Sequence, residues 1–294
     1  MSEDRKLELV DAHVHLWDLS SHPWYPAMQD PEAAKAFVSL GDVSRMARDF
    51  LLADYRAETG AHDVLGIVHV SAVSAPRAYL AETRWIDDAL DSAGIPAAVI
   101  GALEPTLSRA ELEADLDAQA ASPRFRGVRV LTGLDPDSQS AVDVCSLLDE
   151  RGYTFDLVAH PAEVAGFGRL LERFPDLDVV LEHAGWPDGT SPEDFASWRE
   201  GIATLAAHAN VSCKISGLGM VTHTLEVDAL RPWIEACLEV FGAERCMFGG
   251  NFPVDAMYGS FDTLIAACLA ASQGLSQEQR RALFVENARR AYRL

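Results

Sequence analysis

Basic residues are scarce in this chain of 294 residues, which contains 24 lysines and arginines against 45 aspartates and glutamates. The formal net charge of −21 at pH 7 opposes contact with the phosphates of nucleic acids and with anionic lipid headgroups. No uncharged apolar run reaches the roughly 18 residues that indicate a transmembrane helix, and the acidic N-terminus lacks the apolar core of a signal peptide. We therefore expect neither nucleic acid nor a membrane as a partner.

Cysteine is too sparse and too irregularly spaced for a disulfide scaffold. The chain has five cysteines, an odd number, and none of them forms a CxxC pair. In a long chain this pattern is typical of proteins that keep their thiols reduced. We expect buried thiols and a cytoplasmic protein.

Short apolar segments alternate with longer amphipathic ones along the chain. The predicted strands are residues 7–17, 64–73, 97–105, 125–133, 153–161, 178–187, 210–219 and 245–255, and predicted helices include 44–60, 108–122, 162–176, 228–242 and 277–292. The strands are almost continuously apolar, which is typical of parallel strands covered by helices on both faces. Eight such units predict an α/β fold, a single-domain (β/α)8 TIM barrel over residues 1–294. An open doubly wound sheet is the alternative, but it would favour a glycine-rich turn after the first strand, where this chain has histidines.

One segment does not fit the simple repeat. Residues 19–41 are rich in proline and aromatic residues and follow the first strand. Loops at the C-terminal ends of barrel strands surround the active site. We therefore expect residues 19–41 to form a lid-like insertion over the mouth of the barrel.

The segment LVDAHVHLW, residues 9–17, places His13 and His15 two positions apart in the first strand. Alternate residues of a strand point to the same face, so the two imidazoles would converge. Converging neutral imidazoles are candidate metal ligands, and a hydrogen-bonded pair of structural histidines is the alternative. Further polar residues lie in the other predicted strands or at their ends, and these are His69, Glu104, Arg129, His160, Glu182, His183, Lys214, Asn251 and Asp255.

Four of the candidate residues are expected to contact a substrate. Arg129 is suited to a bidentate grip on a substrate carboxylate, with a salt bridge to an acidic neighbour as the alternative. Lys214 lies in the middle of a strand, where an unpaired charge is costly, so a functional or paired role is favoured. Trp17 and Trp186 are candidates for the apolar walls of a pocket, with simple core packing as the alternative.

Five motifs, in this order, carry a resemblance to a known family: VDAHVHLW, FDLVAHP, VVLEHAGWP, RCMFGGNFPVD and ENARRAY. Together they resemble the amidohydrolase superfamily, and most closely its amidohydrolase-2 branch, which includes sugar-lactone and pyrone-dicarboxylate lactonases. The resemblance extends over nearly the whole chain. It implies a (β/α)8 barrel with one divalent metal ion, usually zinc, although some lactonases of the branch work without metal. It further implies that His13, His15 and His160 bind the metal and that His183 is a fourth ligand or a proton shuttle.

The chain departs from the family pattern in the eighth strand. The family usually has an aspartate, both ligand and general base, where this chain has Asn251. An asparagine side chain cannot take up a proton and is a poor metal ligand. The proton would then have to pass through His183, Asp255 or the substrate itself.

The resemblance implies a hydrolase that opens a lactone, or a cyclic amide, of a small carboxylated or hydroxylated metabolite with metal-activated water. A decarboxylase that uses the same metal site is one alternative. A catalytically silent barrel that binds a ligand is another, with Asn251 marking the loss of the base. The expected partner is a small-molecule substrate; the sequence leaves open which one, and whether the chain forms a homo-oligomer.

Overall fold

Each strand of the sheet pairs in parallel with the next strand along the chain. The computed structural model describes residues 6–30, 32, 40–73 and 75–294. The strands are β1 Glu8–Val14, β2 Asp63–Val70, β3 Ala97–Ala102, β4 Phe125–Arg129, β5 Thr154–Leu157, β6 Val179–Leu181, β7 Val211–Ile215 and β8 Cys246–Phe248. Their spatial order is the order of the sequence. The predicted (β/α)8 barrel is therefore confirmed.

The barrel closes where β1 meets the segment that follows β8. Val14 forms a parallel bridge with Phe252, and the backbone N–H of His15 donates to the carbonyl oxygen of Phe252 at 2.9 Å. The backbone N–H of Asn251 donates to the carbonyl oxygen of His13 at 2.7 Å. These contacts place the histidine motif of β1 directly beside the asparagine that follows β8.

Helices cover the outside of the sheet. Among the described residues the α-helices are α1 Pro26–Gln29, α2 Leu52–Thr59, α3 Tyr79–Leu90, α4 Arg109–Gln119, α5 Gln139–Arg151, α6 Val164–Leu171, α7 Pro192–Ala206, α8 Gly219–Thr222, α9 Val227–Phe241, α10 Phe261–Ala271, α11 Gln277–Arg281 and α12 Asn287–Tyr292. The capping box expected at the start of α4 is present, because the Ser108 hydroxyl accepts from the backbone N–H of Glu111 and the Glu111 carboxylate accepts from that of Ser108. Such a box satisfies two N–H groups that a helix start leaves unpaired.

Two of the predicted helices are more irregular than the apolar pattern suggested. In the segment 44–60, a 3-10 turn at Val43–Met46 precedes α2, and in the segment 277–292 a π-turn at Ala282–Glu286 joins α11 to α12. All five cysteines are buried and free, as expected. Within the described part of the chain, no helix combines the length and the apolar character needed to cross a membrane.

The insertion predicted over residues 19–41 is described only in part, since residues 31 and 33–39 lie outside the described residues. Its described part includes α1 and the buried side chain of Tyr25, whose hydroxyl donates to Glu82 at 3.1 Å. Met28 and Leu40 from this segment line a cavity at the C-terminal ends of the strands. The lid-like role of the insertion stays a prediction.

Candidate active site

A cavity of about 380 Å³ opens at the C-terminal ends of the strands, where barrel enzymes have their active sites. Four of its polar side chains are nearly fully buried and lie at or just beyond the ends of β1, β4, β6 and β8. We call them the floor of the cavity: His15, Arg129, His183 and Asn251. Two further polar lining residues, Thr132 and His160, are more exposed. The cavity therefore combines a buried polar floor with a more exposed mouth.

The two histidines of the first motif meet as expected, although His15 lies one residue beyond the end of β1. Their Nε2 atoms are 3.2 Å apart. Nδ1 of His15 lies 2.8 Å from the carbonyl oxygen of Val70, and because a carbonyl only accepts, Nδ1 carries the proton and Nε2 the lone pair. Burial lowers the pKa of both imidazoles well below its usual value, so both are neutral near pH 7.

Lys214 lies beneath His13 in the barrel interior. Its Nζ is 2.6 Å from Oδ2 of Asp156 and 3.4 Å from Nδ1 of His13. The hydroxyl of Tyr292 also donates to Asp156, at 3.0 Å. All of these side chains are fully buried, so Asp156 compensates the lysine charge. This position does not support the expected contact between Lys214 and the substrate, since Lys214 contacts His13 instead and lies outside the cavity lining among the described residues.

Glu182 and Arg129 form a buried ion pair beside the histidines. Arg129 Nη1 donates to Glu182 Oε2 at 3.1 Å, which is the salt bridge that the sequence left open as an alternative. Glu182 Oε1 has no hydrogen-bond partner among the described residues and lies 3.9 Å from Nδ1 of His13. Arg129 Nε is likewise buried and unpartnered within the described part of the chain. Burial raises the pKa of Glu182, against the opposing effect of the Arg129 charge.

His183 follows β6 in a left-handed turn. Its φ is +50°, and Gly217 packs so closely against its imidazole that a side chain at Gly217 would collide with the ring. Nδ1 lies 3.0 Å from the hydroxyl oxygen of Ser216, and the ring centroid lies 4.5 Å from that of His13. Burial is the main cause that lowers the pKa of His183 well below its usual value. The imidazole is therefore neutral near pH 7 and able to accept a proton.

Asn251 and Asp255 form a pair in which only Asn251 lines the cavity. Nδ2 of Asn251 donates to Oδ1 of Asp255 at 3.2 Å, and the same amide side chain hydrogen-bonds to His15. Asp255 is fully buried, and its Oδ2 has no partner among the described residues. Burial raises the pKa of Asp255 to about 8. In this position Asp255 orients Asn251 and does not itself face the cavity.

Two aromatic residues and His160 complete the sequence-predicted set, and all three line the cavity. Trp17 stacks nearly parallel to the His15 ring, with centroids 6.2 Å apart. Trp186 packs edge-on against His183 at 4.8 Å and lies 5.3 Å from His160. The His160 side chain is 45% exposed, and its Nδ1 lies 3.5 Å from Asp188 Oδ1 at the mouth.

Buried histidines and a carboxylate at and beside the floor fit a divalent metal ion. The ligand atoms of His13, Glu182 and His183 lie within 4.8 Å of one another, and Glu182 Oε1 is a carboxylate oxygen without another partner among the described residues. Two nitrogens bound at about 2.0–2.1 Å to a tetrahedral zinc ion lie roughly 3.3 Å apart, close to the 3.2 Å between His13 and His15. In the described geometry the compact set is His13, Glu182 and His183. His15 and His160, which the resemblance implied as ligands, lie outside this set, although His15 contacts His13.

Comparisons with known proteins agree with this fold. The amidohydrolase family model matches residues 10–294. Protein y4mH of Sinorhizobium fredii, which is uncharacterised, is 31% identical over 302 residues, 98% of this chain and 99% of that protein. An L-fucono-1,5-lactonase of Burkholderia ambifaria is 28% identical over 301 residues, 97% of this chain and 95% of that enzyme. The crystal structure of an amidohydrolase from Burkholderia multivorans with bound zinc superposes with a TM-score of 0.81 at 25% identity, over 97% of this chain and 99% of that one. With a family match across nearly its whole length, the chain belongs to the amidohydrolase family of hydrolytic enzymes.

Proposed function

We propose that this protein opens the ring of a small carboxylated or hydroxylated lactone, or of a cyclic amide, at the cavity floor. The observation that carries the proposal is the convergence of neutral buried imidazoles with an unpartnered arginine N–H and an unpartnered carboxylate oxygen. Ester hydrolysis needs a group that takes a proton from water and a donor for the carbonyl oxygen. The similarity to named lactonases over 97% of the chain supports the same activity.

We propose that His13 and His15, whose Nε2 atoms lie 3.2 Å apart, would hold one divalent ion together with Glu182, which belongs to the compact cluster around His13. Zinc is the proposed metal, because it takes mixed imidazole and carboxylate ligands. When bound, such an ion polarises a carbonyl group and lowers the pKa of water. Lys214 holds the His13 ring in place from below, and Asp156 keeps that lysine charge compensated.

The remaining side chains transfer the proton, donate to the carbonyl oxygen and fix the position of His15. We assign the proton of neutral His183 to Nδ1, which donates to Ser216 Oγ, so that Nε2 accepts a proton from the attacking water. Arg129 Nε then donates to the carbonyl oxygen as negative charge develops on it. Protonated His183 returns the proton from Nε2 to the ring oxygen that leaves as an alcohol. Asn251, oriented by Asp255, fixes the position of His15.

Decarboxylation is the less favoured reaction for this cavity. A decarboxylase must hold a substrate carboxylate, and among the described lining residues the guanidinium of Arg129 is the permanent cation. That guanidinium already pairs with Glu182. A lactone carbonyl needs only one N–H donor, and Arg129 Nε has no partner among the described residues.

The experiment is a proton-release assay of lactone opening with the zinc-loaded protein. His183→Ala should lower kcat by roughly 10²- to 10⁴-fold, the usual contribution of a general base. His62→Ala is the matched control, because His62 precedes β2 at the opposite end of the barrel and contacts Asp262. If both variants kept full activity, or if no lactone were opened by the loaded protein, the proposed function would be wrong.

A further inference from the structure

The lining of the cavity is mostly apolar. Of its sixteen described lining residues, ten are apolar. They include three methionines and two tryptophans: Met28, Met46, Met220, Trp17 and Trp186. We call the apolar lining residues the wall of the cavity. A surface of this kind favours apolar groups, and methionine side chains in particular adapt to irregular apolar shapes.

The polar groups of the floor are largely occupied by contacts within the protein. Nδ1 of His15 bonds to Val70 and Nδ1 of His183 lies beside Ser216. Asn251 donates its amide N–H to Asp255, and Arg129 donates one N–H to Glu182. Apart from the floor, the polar residues of the described lining are Thr132 and His160, which are more exposed. A polyhydroxylated lactone would leave hydroxyl groups without partners along the wall, and buried unpartnered hydroxyl groups weaken binding.

Charge at the mouth also disfavours a substrate with several carboxylates. Asp188 lies there, with its side chain 57% exposed, beside His160. The chain as a whole has a net charge of −21, which repels approaching anions. Within the described lining no guanidinium or ammonium group is free to compensate a second carboxylate.

We propose that the substrate is an amphipathic lactone, with its carbonyl and any ring hydroxyl at the floor and an alkyl or aryl substituent along the wall. This inference rests on the proposed lactone hydrolysis and narrows it to lactones with one polar end. The carbonyl contacts Arg129 Nε, and the substituent packs against Met46, Met220 and Trp186.

The test compares δ-lactones that differ only in their substituents: unsubstituted δ-valerolactone, δ-decalactone with its alkyl chain, and polyhydroxylated glucono-1,5-lactone. Apolar burial of the chain should raise kcat/KM for δ-decalactone about tenfold or more above that for δ-valerolactone. Glucono-1,5-lactone should be the poorest of the three. Equal values for all three lactones, or a preference for glucono-1,5-lactone, would overturn the inference.

Substitutions in the wall identify the origin of the preference. Met46→Gln and Met220→Gln keep side-chain length but add a polar amide, so they should reduce the ratio of kcat/KM for δ-decalactone to that for δ-valerolactone by about tenfold. Met257→Gln is the matched control, since Met257 is also nearly buried but does not line the cavity. An unchanged ratio in both wall variants would contradict the inference.

A second readout keeps the inference separable from the proposed function. If the zinc-loaded protein opens none of the lactones, the proposed lactone hydrolysis is wrong. The preference of the cavity for an amphipathic ligand can still be tested by measuring the binding of 5-hydroxydecanoate and gluconate. Quenching of tryptophan fluorescence should then give a dissociation constant for 5-hydroxydecanoate about tenfold lower than that for gluconate. Equal binding, or tighter binding of gluconate, would refute the amphipathic ligand even if another hydrolytic activity were found.

Discussion

Asp255→Asn should change the pH dependence of stability in a defined direction. Asp255 is fully buried, accepts one hydrogen bond from Asn251, and has a pKa that burial raises from 3.8 to about 8. Between these two values the folded chain keeps a proton that the unfolded chain has lost. The free energy of unfolding therefore falls as pH rises, and the contribution of the protonated carboxyl group is lost by about pH 8. Asparagine keeps the shape of the side chain and does not titrate.

The magnitude follows from about 1.4 kcal/mol for each pH unit between the two pKa values. From pH 5 to pH 8 the free energy of unfolding of the wild type should fall by about 4 kcal/mol relative to that of Asp255→Asn. Asp11 and Glu182, whose pKa values burial also raises, are present in both proteins, so their titration cancels in the difference.

Urea unfolding followed by tryptophan fluorescence, with chelator in every sample, measures this difference at pH 5, 6, 7 and 8. We expect the free energy of unfolding of Asp255→Asn to rise relative to that of the wild type at each step in pH. The difference should be largest at pH 8. A difference that stays constant within about 1 kcal/mol across this range would mean that Asp255 titrates in its ordinary range, and the burial argument would be refuted.

Three further predictions concern the metal and the lysine beneath it. His13→Ala should lose bound zinc, whereas His160→Ala, at the exposed mouth, should retain most of it; equal loss in both, measured by elemental analysis, would place His160 among the ligands. Lys214→Met leaves Asp156 as a buried unpaired charge and should cost about 3–5 kcal/mol in urea unfolding, while Lys214→Met with Asp156→Leu should recover part of this loss. Asn251→Asp restores a carboxylate next to His15 and should lower the dissociation constant for zinc by roughly 10- to 100-fold; weaker binding in a competition titration would contradict this.

The barrel could be predicted from the sequence because its signals are local. Parallel strands covered on both faces are apolar along their whole length, and Ser108 and Glu111 mark a helix start without reference to any other segment. The convergence of His13 and His15 follows from the two-residue repeat of a strand.

The roles of Glu182 and Lys214 could not be predicted, because they depend on contacts distant in sequence. Glu182 and His183 were both among the polar residues expected near the strand ends, but adjacent residues of a strand point to opposite faces, so the strand pattern does not predict their contact. The chain leaves β6 after Leu181 and turns left-handed at His183, which brings Nε2 of His183 to 3.7 Å from Glu182. The partner of Lys214 is Asp156 on β5, two strands away across the barrel interior. A lone aspartate in an apolar strand signals a buried partner, but the sequence does not say which.

The most direct test of lactone hydrolysis is the mass of the product from a single turnover in ¹⁸O-labelled water. The zinc-loaded protein is mixed with a substoichiometric δ-lactone, and the product is measured by mass spectrometry. Hydrolysis predicts a hydroxy acid that has gained one water, with one ¹⁸O atom in its carboxyl group. A product that has lost carbon dioxide, or lactone that is recovered unchanged, would contradict the proposed reaction.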